Sequence, residues 1–269
     1  MVRDVTFGQY FPGKSLIHRV DPRLKLVLLV CFIVFIFVCQ NAYALALMGA
    51  FTLTLVLLSR VPIKLFLKSI KAIIIVIILT SILNALYVDT GRVLFEAWIF
   101  KITTGGLARA AFMSSRILIL ILASSLLTYT TTPTALTDAI ERLFKPLRFI
   151  GLGEAVHVMA MMITIALRFI PTLIEETDKI MSAQKARGAD MDSGSLLHRV
   201  KALIPILIPL LISSVRRAYD LADAMECRCY TGGAGRKRMK QLHLVLGDYI
   251  SLLVCVVCFA GVIGLNILF

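Results

Sequence analysis

Long apolar runs separated by short basic stretches are the main pattern of this chain. Five of these runs come close to the roughly 20 residues that a helix needs to cross a bilayer. They contain too few polar positions to face water, so they predict membrane-spanning helices rather than a water-soluble core. The predicted spans are Leu26–Cys39, Ala42–Ser59, Ala72–Tyr87, Gly105–Leu127 and Leu242–Phe269.

A different pattern fills the chain between the fourth and fifth spans. The stretches Leu152–Ala186 and Leu196–Cys229 carry apolar residues every three or four positions, with charged residues between them. This spacing predicts long amphipathic helices that lie against an apolar partner. Their most apolar parts, Val156–Leu167 and Leu203–Ile212, could form extra spans, but each is short and has proline or arginine nearby. We therefore expect an all-α polytopic membrane protein with about five transmembrane helices and a cytosolic layer of long amphipathic helices.

Composition and charge fit this class of protein. Hydrophobic residues make up 59% of the 269 residues, and the mean hydropathy is +0.89. The formal net charge of +13 would suggest nucleic-acid binding in a soluble protein. Here Lys and Arg concentrate in 1–25, in a basic loop at 60–71 and in 130–241, which hold five, four and sixteen of them, whereas the outer loop at 88–104 holds two. The positive-inside rule places the first three segments in the cytosol, so the charge needs no nucleic acid.

The spans and their orientation divide the chain into four parts. We expect a cytosolic amino-terminal segment at 1–25 and a four-helix membrane region at 26–129. A cytosolic helical domain at 130–241 and a carboxy-terminal transmembrane helix at 242–269 follow.

One small motif occurs at the ends of both amphipathic stretches. Residues 183–188 read Ala-Gln-Lys-Ala-Arg-Gly, and residues 224–230 read Ala-Met-Glu-Cys-Arg-Cys-Tyr. A guanidinium offers five fixed donors and stays charged, which suits a carboxylate-lined pocket on another protein. Gly188 can adopt the left-handed conformation that ends a helix and so present Arg187 at its tip. The alternative interpretation is that Arg187 and Arg228 are ordinary arginines at two solvated helix ends.

Four other patterns predict no site. Residues 8–15 match the phosphate-binding pattern G-x-x-x-x-G-K-S, but that loop works only between a buried strand and a helix. Cys255-x-x-Cys258 lies in an apolar run without a basic group to stabilise a thiolate, so we expect these cysteines to pack between helices. Cys227 and Cys229 would point to different sides of a helix and make a poor metal chelate. The four histidines are scattered, and we expect no catalytic site, cofactor or metal.

Two arginines lie inside the fourth predicted span. Arg109 and Arg116 are seven residues apart, which places them on one helix face. Charges inside a membrane usually face protein or water. Arg109 is close enough to the outer boundary to snorkel, whereas Arg116 lies deeper and needs a partner.

In order along the chain, several segments resemble one family: the transmembrane scaffold subunit of energy-coupling factor transporters, of the EcfT or CbiQ type. The resemblance covers nearly the whole chain. Each matching segment alone is weak evidence, but all of them in order are specific for this family. They are residues 8–15, residues 18–25 (His-Arg-Val-Asp-Pro-Arg-Leu-Lys), Arg116, residues 131–133, residues 143–147, residues 168–171 and both arginine motifs.

The resemblance implies a division of labour in a bacterial plasma-membrane transporter for vitamins or metal ions. Two cytosolic ABC-type ATPases would hydrolyse ATP, a small membrane subunit would bind the substrate, and this chain would couple them without being an enzyme. The docking residues carried over are Ala186, Arg187 and Gly188 at one tip, and Cys227, Arg228 and Cys229 at the other. Cysteine stands where the family has alanine and glycine, so the second helix stop is expected to shift to residues 232–233.

Two other classes of protein remain as alternatives. A self-sufficient secondary transporter or channel should carry polar or acidic residues within several spans, and these spans contain no Asp or Glu apart from Asp248 near the start of the last. A membrane enzyme should show a nucleophile and a base at useful spacing, and none stands out.

Overall fold

The computed structural model describes residues 10–87, 92–97, 100–146, 153–188, 196–232 and 245–268. Within these residues the architecture is helical apart from one two-stranded antiparallel hairpin, which confirms the predicted all-α polytopic class. The hairpin falls in 88–104, where the sequence predicts a loop. The helices are α1 Leu16–Arg19, α2 Pro22–Val38, α3 Ala42–Ser59, α4 Ile63–Tyr87, α5 Thr104–Thr130, α6 Pro133–Leu143, α7 Gly153–Ala186, α8 Leu196–Glu226 and α9 Leu246–Leu268; the strands are β1 Val93–Ala97 and β2 Phe100–Thr103.

The chain forms two compact units. The first, the bundle unit, comprises residues 8–139 and 240–269, and its described part holds α1 to α5, the hairpin and α9. The second, the helix-pair unit, includes residues 140–239 and holds α7 and α8. The helix-pair unit is therefore an insertion in sequence between α5 and α9.

Two apolar clusters form the core of the bundle unit. One joins α2, α3, α5 and α9 and includes stacked rings of Phe35 and Phe259, whose centroids are 4.2 Å apart. The other joins α3, α4 and α5 around Phe66 and Tyr129. Gly49 keeps α3 close to α5, because a Cβ there would lie 3.3 Å from Cδ1 of Ile119. Small residues at helix contacts are typical of membrane bundles.

Six helices in the described part of the chain are long and apolar enough to cross a membrane. They are α3, α4, α5, α7, the part of α8 from Lys201, and α9. Four of the five predicted spans are among them, whereas α2, which contains the predicted span Leu26–Cys39, has only 17 residues. The six include both long amphipathic helices, so length and composition alone leave the extra spans open.

The basic stretch at 60–71 is helical rather than a loop, so that prediction is wrong. Helix α4 begins at Ile63, and Lys64, Lys68 and Lys71 follow one another by four and three residues on one exposed face. Arg60 ends α3 in a left-handed conformation, with φ of 56°. Because lysine is a good helix former, the helix extends back from the apolar run through these residues.

Arg116 has its partner inside the bundle unit. Its Nη2 donates to the carbonyl oxygen of Cys39 at 2.5 Å, which satisfies a free carbonyl at the end of α2. The guanidinium also lies 4.9 Å from the ring centroid of Phe112. Arg109 is exposed. Arg116 therefore ties α5 to the end of α2, and its position inside a predicted span has a structural explanation.

Candidate functional site

Helices α7 and α8 run side by side in opposite directions. The Tyr230 hydroxyl, just beyond α8, donates to Sδ of Met161 near the start of α7, at 3.1 Å. Near the other end, Nε2 of Gln184 donates to the carbonyl oxygen of Pro205 at 3.4 Å. Residues later in α7 thus contact residues earlier in α8, so the two helices are antiparallel.

A polar contact fixes the middle of this pair. Glu176 accepts a hydrogen bond from Nη2 of Arg217 at 2.6 Å through one carboxylate oxygen, and from the Ser213 hydroxyl through the other. The side chains of Glu176 and Arg217 are 21% and 34% exposed, so water only partly screens the pair. These three residues were missed from the sequence, because Glu176 and Arg217 lie among other charges on amphipathic helices and nothing local marks them as partners.

The first arginine motif forms the end of α7. Ala186 is the last helical residue, and Arg187 follows it directly. The Gly188 N–H donates to the Lys185 carbonyl at 3.0 Å, and Gly188 has φ of +85°, which glycine adopts without a Cβ penalty. A Cβ at Gly188 would meet no described atom within 4 Å. The glycine is therefore required by the backbone conformation rather than by packing.

The second motif ends α8 in the same way. The N–H of Tyr230 donates to the Met225 carbonyl at 3.0 Å, and the N–H of Cys229 donates to the Glu226 carbonyl at 2.8 Å. This pair of bonds is the Schellman motif, in which the left-handed residue is usually glycine. Here Cys229 has φ of +52°. The expected shift of the helix stop to residues 232–233 is wrong, because Cys229 itself takes the left-handed conformation and α8 ends at Glu226.

Arg187 and Arg228 thus occupy equivalent backbone positions. Each immediately precedes the left-handed residue that ends its helix. All six predicted docking residues are exposed: Ala186, Arg187, Gly188, Cys227, Arg228 and Cys229. Within the described part of the chain, neither guanidinium forms a salt bridge. Both charges are available to a carboxylate on another molecule.

The structure does not bring the two motifs together. Arg187 lies 26 residues beyond Met161 on α7, and Met161 contacts Tyr230, two residues after Arg228. At 1.5 Å per residue, the two tips are about 40 Å apart along the helix pair. The two arginine motifs are therefore separate candidate sites, one at each end of the antiparallel α7–α8 pair.

The cysteines in the apolar runs pack between helices. Cys255 is buried in the core of the bundle unit and Cys258 packs against it, which confirms their predicted packing role. Cys39 and Cys31 lie in the same cluster. All six cysteines are free thiols. Among the described residues, no group of three His, Cys, Asp or Glu side chains could hold a metal ion.

Comparison with known proteins gives matches over most of the chain. The CbiQ family, described as cobalt transport protein, matches residues 13–241. Curated relatives carry the name energy-coupling factor transporter transmembrane protein EcfT. The protein of Ruminiclostridium cellulolyticum is 47% identical over 269 residues, the full length of both chains. That of Thermosediminibacter oceani is 49% identical over 247 residues, 92% of each chain. That of Bacillus subtilis is 46% identical over 242 residues, 90% of this chain and 91% of the relative.

Proposed function

Because the chain belongs to the EcfT and CbiQ family of energy-coupling factor transporter transmembrane proteins, we propose that it is the coupling subunit of an ATP-driven importer. Two cytosolic ABC-type ATPases dock on it, and a separate small membrane subunit binds a vitamin or a metal ion. The chain itself transmits motion and catalyses no reaction. Substrate specificity then belongs to the partner subunit.

The equivalence of the two helix ends is the observation that carries this proposal. Two ATPases of one type need two similar docking elements, and Arg187 and Arg228 lie at matching backbone positions. Small neighbours at each tip, such as Ala186 and Cys227, let a partner backbone approach closely. The separation of about 40 Å leaves room for one ATPase at each end.

The orientation follows from charge. We place the amino terminus and the segment 130–241 on the cytosolic side, because they hold most of the Lys and Arg residues. Helices α7 and α8 are each apolar in one half, but their later halves carry charges such as Lys179 and Asp220. A position against the cytosolic face of the membrane keeps those charges in water.

Motion passes through the α7–α8 pair in this proposal. ATP binding and hydrolysis move the two ATPases relative to each other, and each arginine-tipped end follows its ATPase. The Glu176–Arg217 contact holds the helices together between the tips. The exposed apolar faces of the pair then reorient the substrate-binding subunit.

Co-purification tests the docking assignment directly. The tagged chain is purified from its native membrane in mild detergent, and bound ATPases are counted per chain. Each of Arg187→Ala and Arg228→Ala should weaken docking by about 2 kcal/mol or more, because truncating an arginine that becomes buried in an interface removes a binding hot spot. Arg216→Ala, an exposed arginine within α8, serves as the matched control and should retain both ATPases. A chain that purifies alone and transports without ATP would instead be a self-sufficient carrier.

A further inference from the structure

A buried polar cluster in the bundle unit ties together three segments that are remote in sequence. Asp248 and Asp21 are 3% and 5% exposed. The cluster also contains Lys25 and two residues at the end of α5, Thr130 and Thr131. Burying two carboxylates and an amine is costly unless they are paired and hydrogen-bonded, so their arrangement needs a reason.

Asp248 is the centre of this cluster. Its Oδ2 accepts a hydrogen bond from the backbone N–H of Val245 at 2.8 Å, which closes the first turn of α9 in the manner of a capping box. Its Oδ1 accepts from the backbone N–H of Asp21 at 2.8 Å. Both oxygens are therefore engaged, and the start of α9 is fixed to the start of α2.

Asp21 and Lys25 extend the cluster along α2. Asp21 caps α2 by accepting from the Arg23 N–H at 2.9 Å. The amine of Lys25 donates to the carbonyl oxygen of Thr130 at 3.1 Å and to the Thr131 hydroxyl at 3.4 Å. Burial lowers the pKa of Lys25, which precedes the predicted span, to about 8, while the charges of Asp248 and Asp21 oppose that shift.

The amino-terminal segment also binds the end of α5 directly. The N–H of Phe11 donates to the carbonyl oxygen of Tyr129 at 2.9 Å, one residue before the carbonyl that Lys25 binds. His18 donates through Nε2 to the Phe11 carbonyl at 3.0 Å, so its Nδ1 accepts from the Ser15 hydroxyl at 2.7 Å. The segment therefore donates hydrogen bonds to two free carbonyls at the end of α5. The hydrogen bonds of His18 fix the conformation of the segment itself.

The position of these contacts along the chain gives them a role. The chain leaves the bundle unit shortly after Thr131 and returns to it shortly before Asp248. The cluster therefore holds the two segments of the bundle unit from which the chain leads to the helix-pair unit, on one side through α6. We propose that the Asp21–Lys25–Asp248 cluster is a positioning site for energy coupling, which fixes both chain connections so that motion of α7 and α8 is transmitted to α5 and α9. This inference rests on the proposed coupling function.

Asp248→Asn in the complete transporter tests the role of the cluster. An amide has one oxygen, so its NH₂ must face one of the two backbone N–H donors and one contact is lost. In liposomes that contain the chain, both ATPases and the substrate-binding subunit, substrate uptake per ATP hydrolysed should fall about fivefold or more, as expected for loss of a coupling energy. The number of bound ATPases should not change. Asp220→Asn, on the exposed surface of α8, is the matched control and should keep the wild-type ratio.

The ratio separates coupling from folding, because a loss of folded protein lowers uptake and hydrolysis together. An unchanged ratio, or loss of the bound ATPases, would overturn the proposal. If Asp248→Asn does not accumulate in the membrane, Thr131→Val is used instead, because it removes a single acceptor of Lys25. This variant should also lower the ratio of substrate uptake to ATP hydrolysis. A wild-type ratio in Thr131→Val overturns the proposal. If Arg187→Ala and Arg228→Ala also retain the ATPases, the proposed function itself fails rather than the cluster.

Discussion

Cys229 occupies a backbone position that glycine fills at the end of the other long helix. A left-handed conformation costs a residue with a Cβ about 1 kcal/mol. Cys229→Gly should therefore stabilise the end of α8 by less than about 1 kcal/mol, because the greater freedom of glycine in the unfolded chain offsets part of this gain. The midpoint of thermal unfolding in detergent, compared with wild type, measures the effect.

Neighbouring substitutions supply the controls for Cys229→Gly. Cys227 directly follows α8 and has no positive φ, so Cys227→Gly should give no gain. Gly188→Ala should lose stability by a similar amount, because Gly188 has φ of +85° with open space around it. Equal effects of Cys229→Gly and Cys227→Gly would contradict the assignment of backbone strain to Cys229.

Polar contacts between α7 and α8 in the described part of the chain include two made by Glu176. A double-mutant cycle on Glu176→Ala and Arg217→Ala should give a coupling energy of about 1 kcal/mol, because both side chains are partly exposed. Glu176→Ala alone should cost more than Arg217→Ala alone, since it also leaves Ser213 without its acceptor. Thermal unfolding of the four proteins provides the energies.

Arg216 provides the control for this cycle. It is an exposed neighbour of Arg217 on α8. The cycle of Glu176→Ala with Arg216→Ala should be additive, within about 0.5 kcal/mol. Additivity in the Arg217 cycle would show that the Glu176 contact does not hold the helices together.

The helices were largely predictable from the sequence, because their apolar periods are long and strong. The boundaries of the helices were less predictable. Helix α4 extends back to Ile63 through three lysines, and the hairpin of β1 and β2 lies where a loop was predicted. The contact between Asp21 and Asp248 could not be predicted, because it joins residues 227 positions apart and depends on how the bundle packs.

The positions of the candidate docking residues were predicted, but their geometry was not. The repeat of a lone arginine among small residues at two helix ends pointed to Arg187 and Arg228. The sequence suggested that Cys229 would displace the helix stop, since cysteine rarely adopts positive φ. The hydrogen bonds of Cys229 and Tyr230 to the last turn of α8 overcome that preference.

The chain as a whole combines two kinds of structure. The bundle unit has apolar cores and buried polar contacts, and the α7–α8 pair is held by the Glu176 contact. Both leave large apolar side chains exposed, such as Ile75 on α4 and Leu207 and Leu211 on α8. Large exposed apolar surfaces on helices are typical of contact with lipid or with partner proteins. Both units therefore carry apolar surface that contact with lipid or partner proteins would cover.

ATP-driven uptake is the most direct test of the coupling function. The complex with Arg187→Ala and Arg228→Ala together is compared with wild type and with Arg216→Ala, and membrane insertion of each chain is measured in parallel. The double variant should insert normally and show no uptake, because neither helix end can follow its ATPase, and Arg216→Ala should transport like wild type. Normal uptake by the double variant would show that the two arginines are ordinary solvated residues and that coupling runs elsewhere.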